Sequence, residues 1–270
     1  MKPFASARQS RHHGFTLVEV MIALTIGMAL TLVVSMLFIN SRRTYATTDD
    51  VSRMQENIRY TYQLITRMVH VAGYKSSPNA LTEAVFGVGN TVLETTDAGG
   101  TTPDTLTVRF EGSSNGTAGV ADGTVVDCLG TPVAGGVTAV NRFSIGPGAN
   151  GALALLCAVG ANPPVEVVPN VSNMQILYGV DDDVNLVADR YVSGGPALVT
   201  LEKSIRGIRF AFLFTSPTPS ALLSGEKTLD KSGNSIDRTY DLNGVSVGPF
   251  DDHFLRRAVT MTVSMRNRTP

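Results

Sequence analysis

A short motif near the N-terminus decides the fold of this 270-residue chain: residues 11–19 read Arg-His-His-Gly-Phe-Thr-Leu-Val-Glu. The motif leads directly into residues 20–39, which contain no Asp, Glu, Lys or Arg. About twenty apolar residues in a helix, at ~1.5 Å each, span the ~30 Å hydrocarbon core of a bilayer. The sequence therefore predicts a membrane-spanning helix with one carboxylate, Glu19, close to its start.

Glu19 requires an explanation, because a carboxylate within hydrocarbon costs roughly 2.5–3.5 kcal/mol on insertion scales. A secretory signal peptide has an apolar region of only about 7–15 residues, followed by a small-residue cleavage site. The run here is longer and ends at residues 40–43, Asn-Ser-Arg-Arg. A plain signal anchor explains the length, but it explains neither the Gly14-Phe15 junction nor Glu19. The combination favours a segment that does more than anchor the chain.

These residues resemble the type IV prepilin signature closely. The resemblance implies that a membrane peptidase cuts after Gly14, that the new N-terminal residue Phe15 is methylated on its amine, and that Glu19 pairs with a neighbouring subunit's N-terminus. Phe15 and Glu19 are one helical turn apart, so both halves of an ion pair are presented at the same depth. Because an unpaired buried charge is very unfavourable, such pairing favours one register between subunits.

Later segments resemble one subgroup, the PilW-type minor pilins. The resemblance implies a low-abundance subunit that primes and tips a type IV pilus, supports motility or adhesion, and has no enzymatic activity. Two alternatives remain open: a minor pseudopilin of a type II secretion system, and a ligand-binding adhesin head on a pilin stem. The segments that carry the resemblance are residues 54–59, 72–74, 127–130 and 173–181, and the arginines 256, 257, 266 and 268.

The resemblance also implies partners and a location. The expected partners are the prepilin peptidase, other minor pilins and the major pilin, a PilY-type tip adhesin, and membrane lipid. Basic residues flank the span about evenly, so the positive-inside rule does not decide its orientation; the peptidase acts at the cytoplasmic face, which makes the leader cytoplasmic. The protein is expected in the inner membrane with a periplasmic head, and then in the extracellular pilus. A net charge of −1 gives no indication of nucleic-acid binding.

The N-terminal helix is predicted to continue beyond the membrane. No proline occurs between Pro3 and Pro78, apolar residues recur on one helical face after Ile39, and Gly73 is placed as a C-terminal cap. The alternative is two helices with a break at Asn40. The chain is then divided into a leader (1–14), a transmembrane half of the helix (15–39), an amphipathic half (40–73) and a β-rich exported head (74–270).

The head contains four runs in which apolar and polar residues alternate. They lie at residues 105–110, 173–178, 208–214 and 259–266. This period predicts strands buried on one face, as in an antiparallel sheet packed against a helix. Residues 75–103 show little periodicity and are interpreted as a connector. The predicted fold class is therefore α+β and pilin-like, with the long N-terminal helix packed on an antiparallel β-sheet head.

Two cysteines, Cys128 and Cys157, lie in the part of the chain expected to be exported. An oxidising compartment and an even cysteine count favour a disulfide. Closing a loop of this length contributes roughly 3–4 kcal/mol in the chain-entropy model. The alternative is a pair of buried free thiols.

An acidic segment, residues 181–189, places oxygen-bearing side chains at offsets 1, 3, 5 and 9, as calcium loops do. The sixth position, which is glycine in calcium loops, is Leu186 here. Related pilins often have a glycine-rich acidic loop at this place, so this version resembles a degraded one. Calcium binding and a solvated acidic hairpin loop are both open, and no other cofactor is expected. The candidate ligands are Asp181, Asp183, Asn185 and Asp189.

One serine pattern and one group of arginines are further candidate sites. Residues 244–248, Gly-Val-Ser-Val-Gly, match the nucleophile elbow of hydrolases, but that pattern requires a strand-to-helix turn and the flanking residues indicate loops. The sequence therefore predicts no enzyme. The arginines around the last predicted strand are either solvated strand ends or a basic edge for DNA or an acidic partner.

Overall fold

The computed structural model describes residues 16–76, 91–117, 119–195, 201, 204–219, 238–250 and 252–266. The chain divides into two compact units, residues 1–48 and 49–270. The elements in the described ranges are α1 (Leu17–Val71), β1 (Leu93–Thr96), β2 (Thr105–Glu111), β3 (Thr138–Pro147), β4 (Leu153–Val159), β5 (Val165–Pro169), β6 (Val171–Val180), β7 (Arg190–Ser193), β8 (Ile205–Pro219), β9 (Arg238–Leu242), β10 (Val245–Phe250) and β11 (Phe254–Ser264).

The part of α1 that belongs to the first unit is apolar and exposed. Every residue from Leu17 to Ile39 is exposed, and one 18-residue window has a mean hydropathy of 2.5, enough by length and composition to cross a membrane. Its polar hydroxyls bond within the helix: Thr31 donates to the Met28 carbonyl at 2.9 Å, and Ser35 donates to the Thr31 carbonyl at 2.7 Å. These bonds suit a helix in hydrocarbon, where no water satisfies polar groups. The helix passes Asn40 without a break, so the two-helix alternative is wrong.

In the second unit, α1 buries one face against the head. Met54, Leu64, Ile65, Met68 and Val69 are at most 6% exposed, and they recur at the three- and four-residue intervals of one helical face. The predicted amphipathic stripe is thus present. This face belongs to a single core that also contains residues of the two larger sheets.

The helix ends where its backbone meets strand β2. Gly73 has φ +75°, a left-handed conformation that favours glycine at a helix C-terminus. Its N–H donates to the Arg109 carbonyl at 2.9 Å, and Glu111 N–H donates to the Tyr74 carbonyl at 2.8 Å. The helix terminus is therefore held by the sheet as well as by its own last turn.

The head contains two main antiparallel sheets. The first has the strand order β1-β2-β3-β4-β5, the second has the order β11-β8-β6-β7, and β9 and β10 form a separate hairpin. Large side chains from both sheets are fully buried in the common core, among them Phe110, Phe143, Tyr178, Phe210 and Phe212. The α+β class, with a long N-terminal helix and an antiparallel β-sheet head, is confirmed.

The prediction that the strands bury one face is correct for β11 but wrong for β8. Phe210 and Phe214 of β8 point into the main core, while Ala211 and Leu213 form a second apolar cluster with the β9–β10 hairpin. On β11, Met261 and Val263 are buried while Thr260, Thr262 and Ser264 are exposed, as expected of a strand with one covered face. An added hairpin layer therefore covers the face of β8 that was expected to meet solvent.

Strand β2 also buries its polar face, in this case through specific partners. Arg109 is 8% exposed and donates to Glu94 Oε2 at 2.6 Å and to the Thr91 carbonyl at 2.9 Å. Glu94 belongs to β1, which lies within the segment that was interpreted as a connector and pairs antiparallel with β2. The connector interpretation is therefore wrong for residues 93–96.

Candidate functional site

The predicted assembly motif forms a reciprocal cap at the start of α1. Thr16 donates both its backbone N–H and its hydroxyl to Oε2 of Glu19, each at 3.0 Å, and the Glu19 N–H approaches Thr16 Oγ1 at 3.3 Å. This is the arrangement of a Thr-x-x-Glu capping box, which satisfies N–H groups that a helix N-terminus leaves unpaired. Gly14 and Phe15, the predicted cleavage and methylation positions, lie outside the described residues.

The cap leaves Glu19 able to bind a further donor. Both Thr16 bonds end on Oε2, so among the described residues Oε1 has no donor. Ala23, Gly27 and Thr31 follow Glu19 at four-residue intervals and line a shallow groove along the same helix face. A Cβ on Gly27 would meet no atom within 4 Å, so packing inside this chain does not require glycine there. Small residues at this spacing are typical of closely packed transmembrane helices.

A disulfide joins Cys128 and Cys157, whose Cα atoms are 6.5 Å apart. Cys157 lies in β4 and is completely buried, while Cys128 lies in a loop that hydrogen bonds hold in place. The N–H of Cys128 donates to Asn141 Oδ1 at 2.9 Å, and Asp127 Oδ1 accepts the N–H groups of Leu129 and Thr131 at 2.8 and 2.9 Å. The bridge therefore ties an ordered loop to β4, an interior strand of the first sheet.

The acidic loop brings together three of its four predicted ligands. Carboxylate oxygens of Asp181, Asp183 and Asp189 lie within 4.8 Å of one another. The fourth predicted ligand, Asn185, bonds within the loop instead: its Oδ1 accepts Val187 N–H at 2.8 Å. Asp181, Asp183 and Asp189 are thus the residues of this chain that could hold a cation here.

The loop fits a calcium ion poorly, because its most buried carboxylate already has partners. Arg206 Nε and Leu186 N–H donate to Asp181 Oδ2 at 2.7 and 2.9 Å, and Asn185 N–H donates to Oδ1 at 3.2 Å. Burial raises the pKa of Asp181, but these donors, with Arg206 foremost, outweigh it and hold the pKa below its usual range. A guanidinium in contact with the carboxylate opposes a second cation at the same oxygen. Leu186 also has φ +70°, at the position where calcium loops use glycine.

The serine pattern does not form a nucleophile elbow in the described residues, and one of the arginines has its partners within the head. Ser246 lies within β10, one strand of a hairpin that turns at Asn243 and Gly244, so the strand-to-helix turn of a nucleophile elbow is not formed. Arg256 is engaged: it donates to Asp252 Oδ2 at 2.5 Å and lies 3.8 Å from the centre of the Phe250 ring. The arginine at position 268 lies outside the described residues.

Two residues of these sites, Thr16 and Arg206, and a third residue of the head, Asp104, were not singled out from the sequence. Thr16 has a readable signal, since Thr-x-x-Glu before an apolar run is a capping box. Arg206 and Asp104, a buried carboxylate of the head, have none: Arg206 is 25 residues from Asp181 in sequence, and the surroundings of Asp104 come from separate strands. Only the folded chain brings such residues to their partners.

Comparisons with known proteins agree with the description of the N-terminal helix and with that of the head. Residues 142–267 match the family model described as Type IV Pilus-assembly protein W, and residues 9–35 match the prokaryotic N-terminal methylation motif. No curated protein matches the chain. Among solved structures, it is similar to a type IV-like pilin from Thermus thermophilus at 14% identity and a TM-score of 0.41, covering 81% of this chain and 98% of that one.

The two family matches cover the features on which the function depends. The methylation motif includes the capped Glu19 and the first part of the apolar helix, and the Type IV Pilus-assembly protein W match includes most of the strands of the head. An exposed apolar helix with this motif marks a membrane-anchored, pilus-associated protein of a structural family. The chain belongs to the type IV prepilin superfamily and, within it, to the PilW-type minor pilins.

Proposed function

We propose that this minor pilin primes type IV pilus assembly as part of the tip complex, and that it enters the pilus by pairing Glu19 with the N-terminal ammonium of a neighbouring subunit. The observation that carries the proposal is the position of Glu19, a carboxylate within an exposed apolar helix whose Oε1 has no donor among the described residues. In hydrocarbon, such a carboxylate is stabilised by a cation at the same depth.

The proposed pairing is compatible with the helix cap. An ammonium group that approaches Oε1 leaves the two Thr16 bonds on Oε2 intact. The start of the helix therefore stays ordered while the subunit moves from the membrane into the filament. Methylation of Phe15 keeps its amine cationic. The groove along Ala23 and Gly27 lets a second apolar helix approach closely beside the ion pair.

The proposed sequence of events starts at the inner membrane. The prepilin peptidase removes residues 1–14 at the cytoplasmic face, and the head remains in the periplasm until the subunit joins other minor pilins, the major pilin and a PilY-type adhesin. The subunit then reaches the cell surface with the pilus, which serves twitching motility or adhesion.

The direct test is Glu19→Ala, with Glu56→Ala as the matched control, because Glu56 is an exposed carboxylate of the same helix. Glu19→Ala should be inserted and cleaved like the wild type, whereas Gly14→Val provides the uncleaved reference. The recovery of Glu19→Ala in sheared pili, and its co-purification with partner pilins, should fall about tenfold or more. Glu56→Ala should match the wild type. Normal recovery of Glu19→Ala in pili would contradict the pairing.

Gene deletion separates the pilus from the secretion-system alternative. Loss of surface pili and twitching motility, with normal protein secretion, supports the proposal. Loss of type II secretion with normal pili would assign the protein to the pseudopilins instead. Complementation by the wild type and by Glu56→Ala, but not by Glu19→Ala, should restore whichever phenotype is lost.

A further inference from the structure

A cavity of about 230 Å³ lies in the head, apart from the assembly motif and the acidic loop. Its walls come from the loop after β1, from β6, from the end of β7 and from the β9–β10 turn, and its polar lining residues are Asp97, Asp104, Gln175, Ser193 and Asn243. A water molecule occupies ~30 Å³ of liquid, and sites for drug-sized ligands reach about 300–1,000 Å³. The cavity lies between these two sizes and is large enough for one amino-acid side chain.

Asp104 is the buried charged group of this cavity. It is 4% exposed, and its Oδ2 accepts Ile176 N–H at 2.8 Å, while Oδ1 has no hydrogen-bond partner among the described residues. The pKa of Asp104 is raised to about 6: burial is the largest cause, the Ile176 N–H opposes it, and the neighbouring Asp97 adds to it. A buried oxygen without a partner is costly, and native structures rarely leave one unexplained.

The amide side chains that line the cavity have already used their donors. Gln175 Nε2 donates to the Thr102 carbonyl at 2.9 Å and to Asn173 Oδ1 at 3.1 Å. Asn243 Nδ2 donates to the carbonyls of Gln175 and Arg209 at 3.0 and 3.2 Å. Each amide therefore retains its oxygen as the group available to a ligand.

The cavity thus offers acceptors and negative charge. Two carboxylates and two amide oxygens belong to its lining residues, and none of the described lining residues is basic. A ligand that complements this lining carries a positive charge and several N–H donors, and it is no larger than about one side chain. An ammonium group is a compact charge with three donors on a slender stem, whereas a calcium ion requires six to eight oxygen ligands.

We propose that this cavity binds a primary ammonium group on an alkyl stem the size of a lysine side chain, with Asp104 as the counter-ion and Asp97 at the rim. The ammonium group would be held by charge-assisted hydrogen bonds, which are the strong ones in a partly enclosed site. The proposal is independent of the pairing at Glu19, since it concerns residues of the head alone.

The test uses the full mature chain in detergent, at pH 7.5, titrated with n-butylammonium chloride while thermal unfolding is followed. A saturable rise of the unfolding midpoint is expected. Tetramethylammonium chloride, a cation of similar size without N–H donors, should give no saturable rise at equal concentration. Asp104→Asn should weaken butylammonium binding by about tenfold or more, because it removes the charge while keeping the side-chain shape.

Two further variants make the outcome decisive. Asp97→Asn alters an exposed residue and should weaken binding by a smaller factor, so it decides the question even where Asp104→Asn fails to fold. Glu56→Gln removes an exposed carboxylate of α1, outside the cavity, and should leave binding unchanged. Four results would each overturn the proposal. The unfolding midpoint could respond equally in all three variants, shift equally with tetramethylammonium, not shift at all with butylammonium, or show a larger saturable shift with calcium chloride.

Competition distinguishes the source of the ammonium group. If it is a lysine side chain of a partner pilin, butylammonium should reduce co-purification of that partner with the wild type but not with Asp104→Asn. If it is a free alkylamine, butylammonium should bind while co-purification is unaffected. Both results support an ammonium site, and they differ only in whether a partner pilin or a free alkylamine supplies the ammonium group.

Discussion

The hydroxyl of Thr218, at the end of β8, donates a 2.5 Å hydrogen bond to Oδ2 of Asp50 in α1. Asp50 is only 8% exposed, although an exposed aspartate, Asp49, precedes it directly. The two residues are 168 positions apart in sequence, so the bond joins the helix to the second sheet at a point that no local pattern indicates. One of two adjacent carboxylates is therefore structural.

Asp50→Ala should lower the free energy of unfolding by about 1.5–3 kcal/mol, since it removes a hydrogen bond to a charged group at a buried site. Asp49→Ala provides the control. It breaks an exposed pair with Arg53, of the kind that contributes about 0–1 kcal/mol. Chemical denaturation of the two variants in detergent checks the difference, and equal effects would show that the Thr218 bond contributes nothing specific.

The disulfide should contribute a large share of the stability of the head. The bridge closes a loop with a sequence separation of 29, which corresponds to about 3–4 kcal/mol in the chain-entropy model. Replacing both Cys128 and Cys157 by alanine should lower the unfolding midpoint by roughly 6–16 °C, at about 2–4 °C per kcal/mol. Wild-type protein unfolded and refolded under reductant should melt like the double variant, while the double variant should not respond to reductant.

Asp104 should make the stability of the head depend on pH below neutrality. Its pKa is about 6 in the folded chain against an ordinary value of 3.8, so the folded state binds this proton more tightly than the unfolded state. The stability it contributes is full below about pH 4 and is lost as the pH rises to about 6.

Asp104→Asn should remove that slope and stabilise the protein at pH 7 by on the order of 1–3 kcal/mol. Denaturation midpoints measured at pH 4, 5, 6 and 7 check this, with Asp183→Asn expected to keep the wild-type slope. Parallel pH profiles for wild type and Asp104→Asn would refute it.

Two arginine–aspartate pairs beside the acidic loop should differ sharply in importance. Arg206 and Asp181 form a 2.7 Å pair with side chains 14% and 0% exposed, whereas Arg190 and Asp182 form a 2.7 Å pair with both side chains 48% exposed. Arg206→Met leaves a buried carboxylate unpaired and should cost about 3–5 kcal/mol. Arg190→Met should cost about 0–1 kcal/mol. Comparable losses in urea denaturation would contradict the distinction.

Calcium should have little effect on the wild-type head. The candidate oxygens of Asp181 already accept three hydrogen bonds, one of them from Arg206, and Asn185 Oδ1 is directed at a backbone N–H. Millimolar calcium chloride should therefore leave the unfolding midpoint within the shift produced by magnesium chloride at the same concentration. A saturable rise specific to calcium, absent in Asp189→Asn, would instead assign the loop to calcium binding.

The helix and its motif were accessible from the sequence because their signals are local. The apolar run, the position of Glu19, the lack of proline and the role of Gly73 all depend on residues within a few turns of one another. The strands around Phe210 and Met261 were equally readable from their period of two. Thr16 was overlooked although its capping-box signal is local too.

What only the tertiary structure decided depends on contacts between distant segments. The alternation along β8 predicts one apolar face, but its second face is buried as well because a hairpin about thirty residues later packs Leu242 and Val247 against Ala211 and Leu213. Burial of polar groups is decided in the same way. Nothing in the sequence distinguishes Asp50, Asp104 and Asp181 from exposed aspartates nearby. Only the folded chain places a hydroxyl beside the first, a cavity beside the second and a guanidinium beside the third. The sequence by itself determined the long N-terminal helix with its apolar first half and the strands β2, β6, β8 and β11, since propensity and hydrophobic period are local. The environment of each carboxylate arises from residues up to 168 positions away, and only packing brings those residues together.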